Sequence, residues 1–353
     1  MSRGLPPPVD PAKAPVDTHW SRRSERGSAW LLGLMAWIAI TFGRRLSRGL
    51  LHPIALYFLL FAPTARRSSR RYLARALGRP ARITDAYRHV HTFASTVLDR
   101  VYFARGELAD FDISVQGDAP MDAAIAQGRG AVLLGAHMGS FEALHAVGVS
   151  RPGLRVAMAM YPDNARKIHA ALQAIAPDFH LDIIAIGRSS ATLQIRDWLA
   201  GGGLVGMLGD RHLDGADHRD GSPGSTKSRS RVDSSHSGGG DGGQVPTPGG
   251  HDASLFTRPF LGHPARFSDG PLRLAQLLRQ RVIFMVGLYH GGGRYEVRFE
   301  PLADFSERLA QPAARAQQLQ AALDAYVAHL EALCREWPYN WFNFHDFWAE
   351  DET

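Results

Sequence analysis

The residues best able to do chemistry in this chain lie in AVLLGAHMGSFEA, positions 131–143, where an apolar run leads into His137 and Glu142 follows in the pattern His-x-x-x-x-Glu. On one continuous helix, residues five apart diverge by about 140°, so the two side chains could not meet there. They can meet if His137 occupies the turn before a helix and Glu142 reaches back from inside it, and Gly135 and Gly139 permit such a turn. A carboxylate that accepts the proton of one imidazole nitrogen fixes the tautomer and makes the other nitrogen a base for an oxygen nucleophile. Such a base contributes ~10²–10⁴ in rate. The plainer alternative has His137 closing a strand and Glu142 facing water. Two more segments bring charged residues to the ends of apolar runs: GLVGMLGDR, residues 203–211, ends in Asp210 and Arg211, and FSDGP, residues 267–271, opens a helix at Asp269.

These segments need a frame to hold them. Apolar runs and alternation predict strands over 111–116, 131–136, 154–160, 182–186, 204–208, 282–288 and 295–300. Helical spacing predicts helices over 87–105, 121–127, 141–147, 165–175, 190–199 and 271–279. Strands and helices taking turns imply an α/β fold, a largely parallel or mixed sheet covered by helices, with ligands beyond the carboxyl ends of the strands. His137, Asp210 and the FSDGP turn all belong at such edges. Gly201, Gly203 and Gly206 match G-x-G-x-x-G but precede a strand, whereas a dinucleotide fingerprint follows one. No nucleophile elbow or phosphate-binding lysine loop is present.

The chain has 353 residues, 45% of them hydrophobic and 21% charged, which suits a globular α/β protein and excludes a disulfide-stapled one, since Cys334 is the single cysteine. A reducing compartment follows. The formal net charge is +6, and between Ser21 and Arg75 arginines far outnumber the lone Glu25. This run is threaded with two apolar stretches, residues 28–43 and 49–63. Each is shorter than the roughly 20 residues of a spanning helix, and joining them would place Arg44, Arg45 and Arg48 in mid-bilayer. Residues 20–80 are therefore expected to form membrane-associated helices lying in one leaflet with arginines on anionic headgroups. Buried core helices with arginine-rich ends are the alternative. Residues 1–19 are Pro-rich and expected to be disordered. Residues 213–254, rich in Gly, Ser, Asp and His, cannot bury enough surface to offset ordering and read as a low-complexity insertion in a domain spanning 81–348. The insertion's Asp214, Asp217, His218, Asp220, His236 and His251 read as solvated rather than as a functional metal site.

His-x-x-x-x-Glu, GMLGDR and FSDGP are similar to the successive blocks of glycerolipid acyltransferases, which run His-x-x-x-x-Asp, a Gly-x-x-x-x-Arg block and Phe-Pro-Glu-Gly. More closely, HMGSFEAL, the Tyr161-Pro-Asp-Asn164 element and PFLGHPARFSDGP resemble the bacterial late acyltransferases of lipid A biosynthesis, in the lysophospholipid acyltransferase-like superfamily. The likeness runs from about Trp20 to the aromatic terminus NWFNFHDFW, apart from 213–254. The opening WSRRSERGSAW and that terminus look more like an offshoot whose members are associated with other outer-membrane or polyene lipids.

The resemblance implies transfer of a fatty acyl chain from an acyl carrier protein or acyl-CoA thioester to a hydroxyl of a lipid A-type glycolipid or related lipid, at the cytoplasmic face of a bacterial inner membrane. It implies no metal or organic cofactor. In that reading His137 is the base, Glu142 orients it, and backbone amides near Gly139 and Ser140 hold the oxyanion. Arg211 contacts acceptor phosphate, with Asn164, Arg166, Lys167 and Arg188 extending that surface, while Asp210 shares in the site or holds Arg211 by an ion pair. FSDGP departs from the wider pattern by lacking Glu, though Asp269 keeps an acid there. A non-catalytic membrane-binding scaffold of the same fold is the rival. Nucleic acid is not an expected partner, because the arginines are interleaved with apolar helices.

Overall fold

Ala131–Gly135 form β2, buried at every residue, and the run AVLLG has the near-continuous apolar character of a strand covered on both faces. In the computed structural model the described residues are 21–143, 147, 154–162, 176, 181–187, 189–211 and 255–348, with side chains of the first helix described from Trp37 onward. The tail 1–19, the insertion 213–254 with its His and Asp residues, the helix expected over 165–175, and Asn164, Arg166, Lys167 and Arg188 lie outside the described residues.

Seven strands form the main sheet: β1 (Asp112–Gln116), β2, β3 (Val156–Met160), β4 (Asp182–Ala185), β5 (Leu204–Leu208), and, after a separate antiparallel hairpin of β6 (Leu255–Phe260) and β7 (His263–Ser268), β8 (Arg281–Gly291) and β9 (Arg294–Asp304). Their spatial order is β1-β9-β8-β2-β5-β3-β4. Every neighbouring pair is parallel except β8 with β9, which form a hairpin. The expected α/β sheet is thus present, mixed by one antiparallel pair.

Helices α1 (Ser21–Phe61), α2 (Pro63–Leu77), α3 (Ile83–Ala104), α4 (Ala119–Ala126), α5 (Ser189–Ala200), α6 (Gly270–Leu277) and α7 (Pro312–Glu336) flank the strands. Alternate residues of each strand serve opposite faces. Val132, Leu134, Val205 and Phe284 pack with Leu73 of α2, Ile195 of α5 and Leu323 of α7. Leu133, Ile283, Met285 and Phe299 pack on the other side with Phe103 of α3 and Met121 of α4. The sequence expectations contain neither the β6–β7 hairpin nor α7.

The N-terminal region matches its expectation in part. Helix α1 breaks at Gly43, whose φ of 75° only glycine adopts freely, so the two apolar stretches form two helical segments. The segment Trp37–Phe61 then turns by 97° into α2, where Pro63 supplies the first-turn proline. No single helix among the described residues is long and apolar enough to cross a membrane. Trp37, Phe42, Leu46, Tyr57, Leu60 and Phe61 are exposed along α1. Among its described arginines, Arg44 and Arg48 are not. Arg44 grips Asp99 of α3 through Nε and Nη2 at 2.8 and 3.0 Å, and Arg48 Nη2 donates to the Tyr289 hydroxyl at 2.6 Å. The expectation that this arginine run faces headgroups fails for Arg44 and Arg48, because a buried carboxylate on α3 is the stronger partner.

Candidate active site

Parallel β2 and β5 are neighbours, with Gly135 opposite Leu208. Two residues beyond each of these, His137 and Asp210 leave the carboxyl edge of the sheet side by side. His137 Nδ1 lies 2.9 Å from Asp210 Oδ1, and the His137 amide donates to Oδ2 at 3.0 Å. The Trp341 indole N–H donates to that same Oδ2 at 2.9 Å. The Asp210 side chain is 1% exposed and that of His137 is 31% exposed. Burial pushes the Asp210 carboxyl up, but the His137 charge and these hydrogen bonds outweigh it and hold the group down at about 2. An ionised carboxylate can only accept, so Nδ1 carries the proton and Nε2 is left as the basic nitrogen.

The ring nitrogen is therefore served by Asp210, not by the Glu142 of the expected pair. Glu142 Oε1 lies 2.6 Å from Arg100 Nε of α3, and its other oxygen accepts from Ser140 Oγ at 3.2 Å. The reason is local. Ser140 caps the helical residues that follow, accepting from the Ala143 amide at 3.3 Å, so Glu142 stands in the first turn facing α3. Asp210, expected to share in the site or to hold Arg211, has its oxygens engaged by His137 and Trp341. Arg211 is exposed and donates through Nη2 to the Phe342 carbonyl at 3.3 Å. Crowding by protein lowers the Arg211 pKa, and the Asp210 charge opposes that fall.

The turn between His137 and its helix is pinned on both sides. Gly139 has φ of 66°, and a Cβ there would fall 1.9 Å from the Gly287 carbonyl oxygen of β8. Its amide donates to Asn340 O at 2.9 Å, and the Ser140 amide donates to Gly287 O at 2.7 Å. Both amides expected to serve an oxyanion are thus already committed to the fold. On the far side, the Phe342 amide donates to His137 O at 2.8 Å, and Asn340 binds both backbone groups of Tyr289, at 2.7 and 3.1 Å. Asp269 is fully buried at the start of α6 and pairs with Arg273 at 2.6 Å, which makes the FSDGP acid a helix-start residue.

The site residues that sequence reasoning missed are Trp341, Asn340 and His89. NWFNFHDFW was singled out as an aromatic terminus, but nothing in its spacing says that Trp341 folds back onto Asp210. His89 is fully buried in α3, with Nε2 2.8 Å from the Trp341 carbonyl and Nδ1 2.8 Å from Ser69 Oγ. A carbonyl only accepts, so Nε2 is the protonated nitrogen and the ring is neutral. Compared with protein-family models and with the curated proteins, the chain matches none.

Proposed function

We propose that this protein is an acyltransferase that moves a fatty acyl chain from an acyl carrier protein or acyl-CoA thioester to a hydroxyl of a lipid A-type glycolipid or a related lipid acceptor. The observation that carries this reading is the half-open His137 ring with its Nδ1 on a buried, ionised Asp210 at the carboxyl edge of the sheet. His137 Nε2 takes the proton of the acceptor hydroxyl as that oxygen attacks the thioester carbonyl. The tetrahedral intermediate collapses, the C–S bond breaks, and His137 returns the proton to the departing sulfur. Direct transfer fits the surroundings: Ser140, the nearest hydroxyl in the turn, is buried and occupied as a helix cap. Arg211, exposed next to Asp210, is the cation for an acceptor phosphate.

The exposed apolar residues of α1 suit a helix that rests in the cytoplasmic leaflet of the inner membrane, with Arg45 and Arg67 exposed near them for headgroups. That same face favours a second reading, a membrane-binding scaffold without chemistry. Incubation of the protein with radiolabelled acyl carrier protein or acyl-CoA and extracted lipid separates the two. The expected result is a labelled lipid product that falls ~10²–10⁴-fold with His137→Ala. Vesicle sedimentation without any acyl product would support the scaffold, and wild-type turnover by the His137→Ala protein would overturn the mechanism.

A further inference from the structure

The polar chain behind His137 does not stop at Asp210. Trp341 is the largest fully buried side chain among the described residues, its ring packed edge-on against Tyr72, Phe260 and Phe347. Among those neighbours its N–H finds one acceptor, Asp210 Oδ2. The backbone carbonyl of the same residue accepts from His89, whose other nitrogen accepts from Ser69 of α2. Two runs of hydrogen bonds, Ser69–His89–Trp341 carbonyl and Trp341 indole–Asp210–His137, are thus joined through the covalent frame of Trp341 and lead from α2 through α3 to the sheet edge. Each donor in it has an acceptor that cannot be exchanged for water, because Ser69, His89, Trp341 and Asp210 are all buried.

We propose that Trp341 is a positioning residue for the His137–Asp210 pair, with its indole N–H fixing the carboxylate that orients His137, and that His89 in turn fixes Trp341. The proposal rests on the reading of His137 as the base. A tryptophan donates a hydrogen bond without bringing charge, so it orients the carboxylate while leaving the imidazole as the single titrating partner. The other ionisable groups around the pair do not take that part. Tyr326 and Cys334 of α7 are kept neutral by burial, Arg211 turns to Phe342, and Glu142 is bound to Arg100. Tyr326 instead donates to the Gly135 carbonyl at 3.0 Å, bracing the end of β2 from the other side.

Trp341→Phe keeps the ring packing and removes the N–H. With one donor fewer, Asp210 holds its negative charge less shared and binds the His137 imidazolium more tightly. The titration midpoint of His137, followed by ring-nitrogen NMR on the full chain with labelled histidine, should rise by about half to one pH unit. The acid limb of the kcat profile should move with it, with KM unchanged. His89→Leu, which leaves the indole in place but releases the Trp341 carbonyl, should move the midpoint the same way by less, and His89→Gln, which retains a donor, should restore it. A role in packing alone would lower stability in these variants without moving the His137 midpoint, and that result would overturn the proposal. A protein that transfers no acyl group but shows the midpoint shift would refute the acyltransferase reading and leave the placement of Trp341 standing.

Discussion

Asp99 and Asp210 are both sealed from solvent, yet they are bound by different kinds of donor. Asp99 accepts from Nε and Nη2 of Arg44, lies 3.7 Å from Arg48, and accepts from the Tyr295 hydroxyl at 2.9 Å. Burial and the Asp99 charge raise Tyr295 well above its ordinary value, and Arg44 stays charged at any accessible pH. The cluster ties three elements to one carboxylate, so it acts as a staple between α1, α3 and β9. Asp210 is bound instead by an indole, an amide and an imidazole, and the imidazole alone is partly open to solvent. The two carboxylates thus share the same depth of burial and differ in the donors that hold them: a guanidinium and a phenol at Asp99, a half-open imidazole and an indole at Asp210.

Substitutions that break this contrast should separate cleanly. Asp210→Asn should cost the largest effect, a fall on the order of 10³–10⁴ in acyl transfer, because a side-chain amide no longer enforces the Nδ1–H tautomer. Asp99→Asn should leave transfer per folded molecule unchanged and instead lower stability by about 3–5 kcal/mol, since it strands the buried Arg44 charge; urea unfolding followed by circular dichroism reads this. A smaller effect belongs to His89. Its burial lowers the ring to about 4, with the Trp341 bond opposing that fall. The unfolded chain therefore binds a proton that the folded chain refuses between about pH 6.5 and 4. Stability should be full above pH 6.5 and should decline as pH falls toward 4, by on the order of 3 kcal/mol. Denaturant melts across this range check it, and His89→Leu should flatten that part of the slope.

Much of the frame was legible in the chain. All seven strands of the main sheet answer to runs of apolar or alternating residues: the central ones are buried on both faces and leave a continuous apolar run, while the edge strand β1 alternates. The expectation that His137 follows directly on a strand came from the same source, and His137 lies two residues beyond the end of β2. Strand order was not legible. Local spacing linked His137 to Glu142, five residues on, whereas the partner on its ring, Asp210, is 73 positions away and becomes adjacent only when β5 pairs with β2. Helix α7 does carry a readable pattern: its buried residues Leu319, Leu323, Tyr326, Leu330 and Leu333 recur at helical spacing. The β6–β7 hairpin adjoins the low-complexity stretch and carries Pro259 and Pro264, which mask a strand signal. Arg44 shows the remaining limit. Its place in an arginine-rich run suggested a headgroup ligand, and the deciding fact, a buried acid on another helix, has no local trace.

The assignment of Asp210 over Glu142 as the acid on His137 is tested most directly by the ring-nitrogen NMR spectrum of His137 in three proteins: the parent, Asp210→Asn and Glu142→Gln. The expected outcome is a protonated Nδ1 and a bare Nε2 in the parent at neutral pH, retained in Glu142→Gln and lost in Asp210→Asn. A spectrum that changes with Glu142→Gln and survives Asp210→Asn would contradict it.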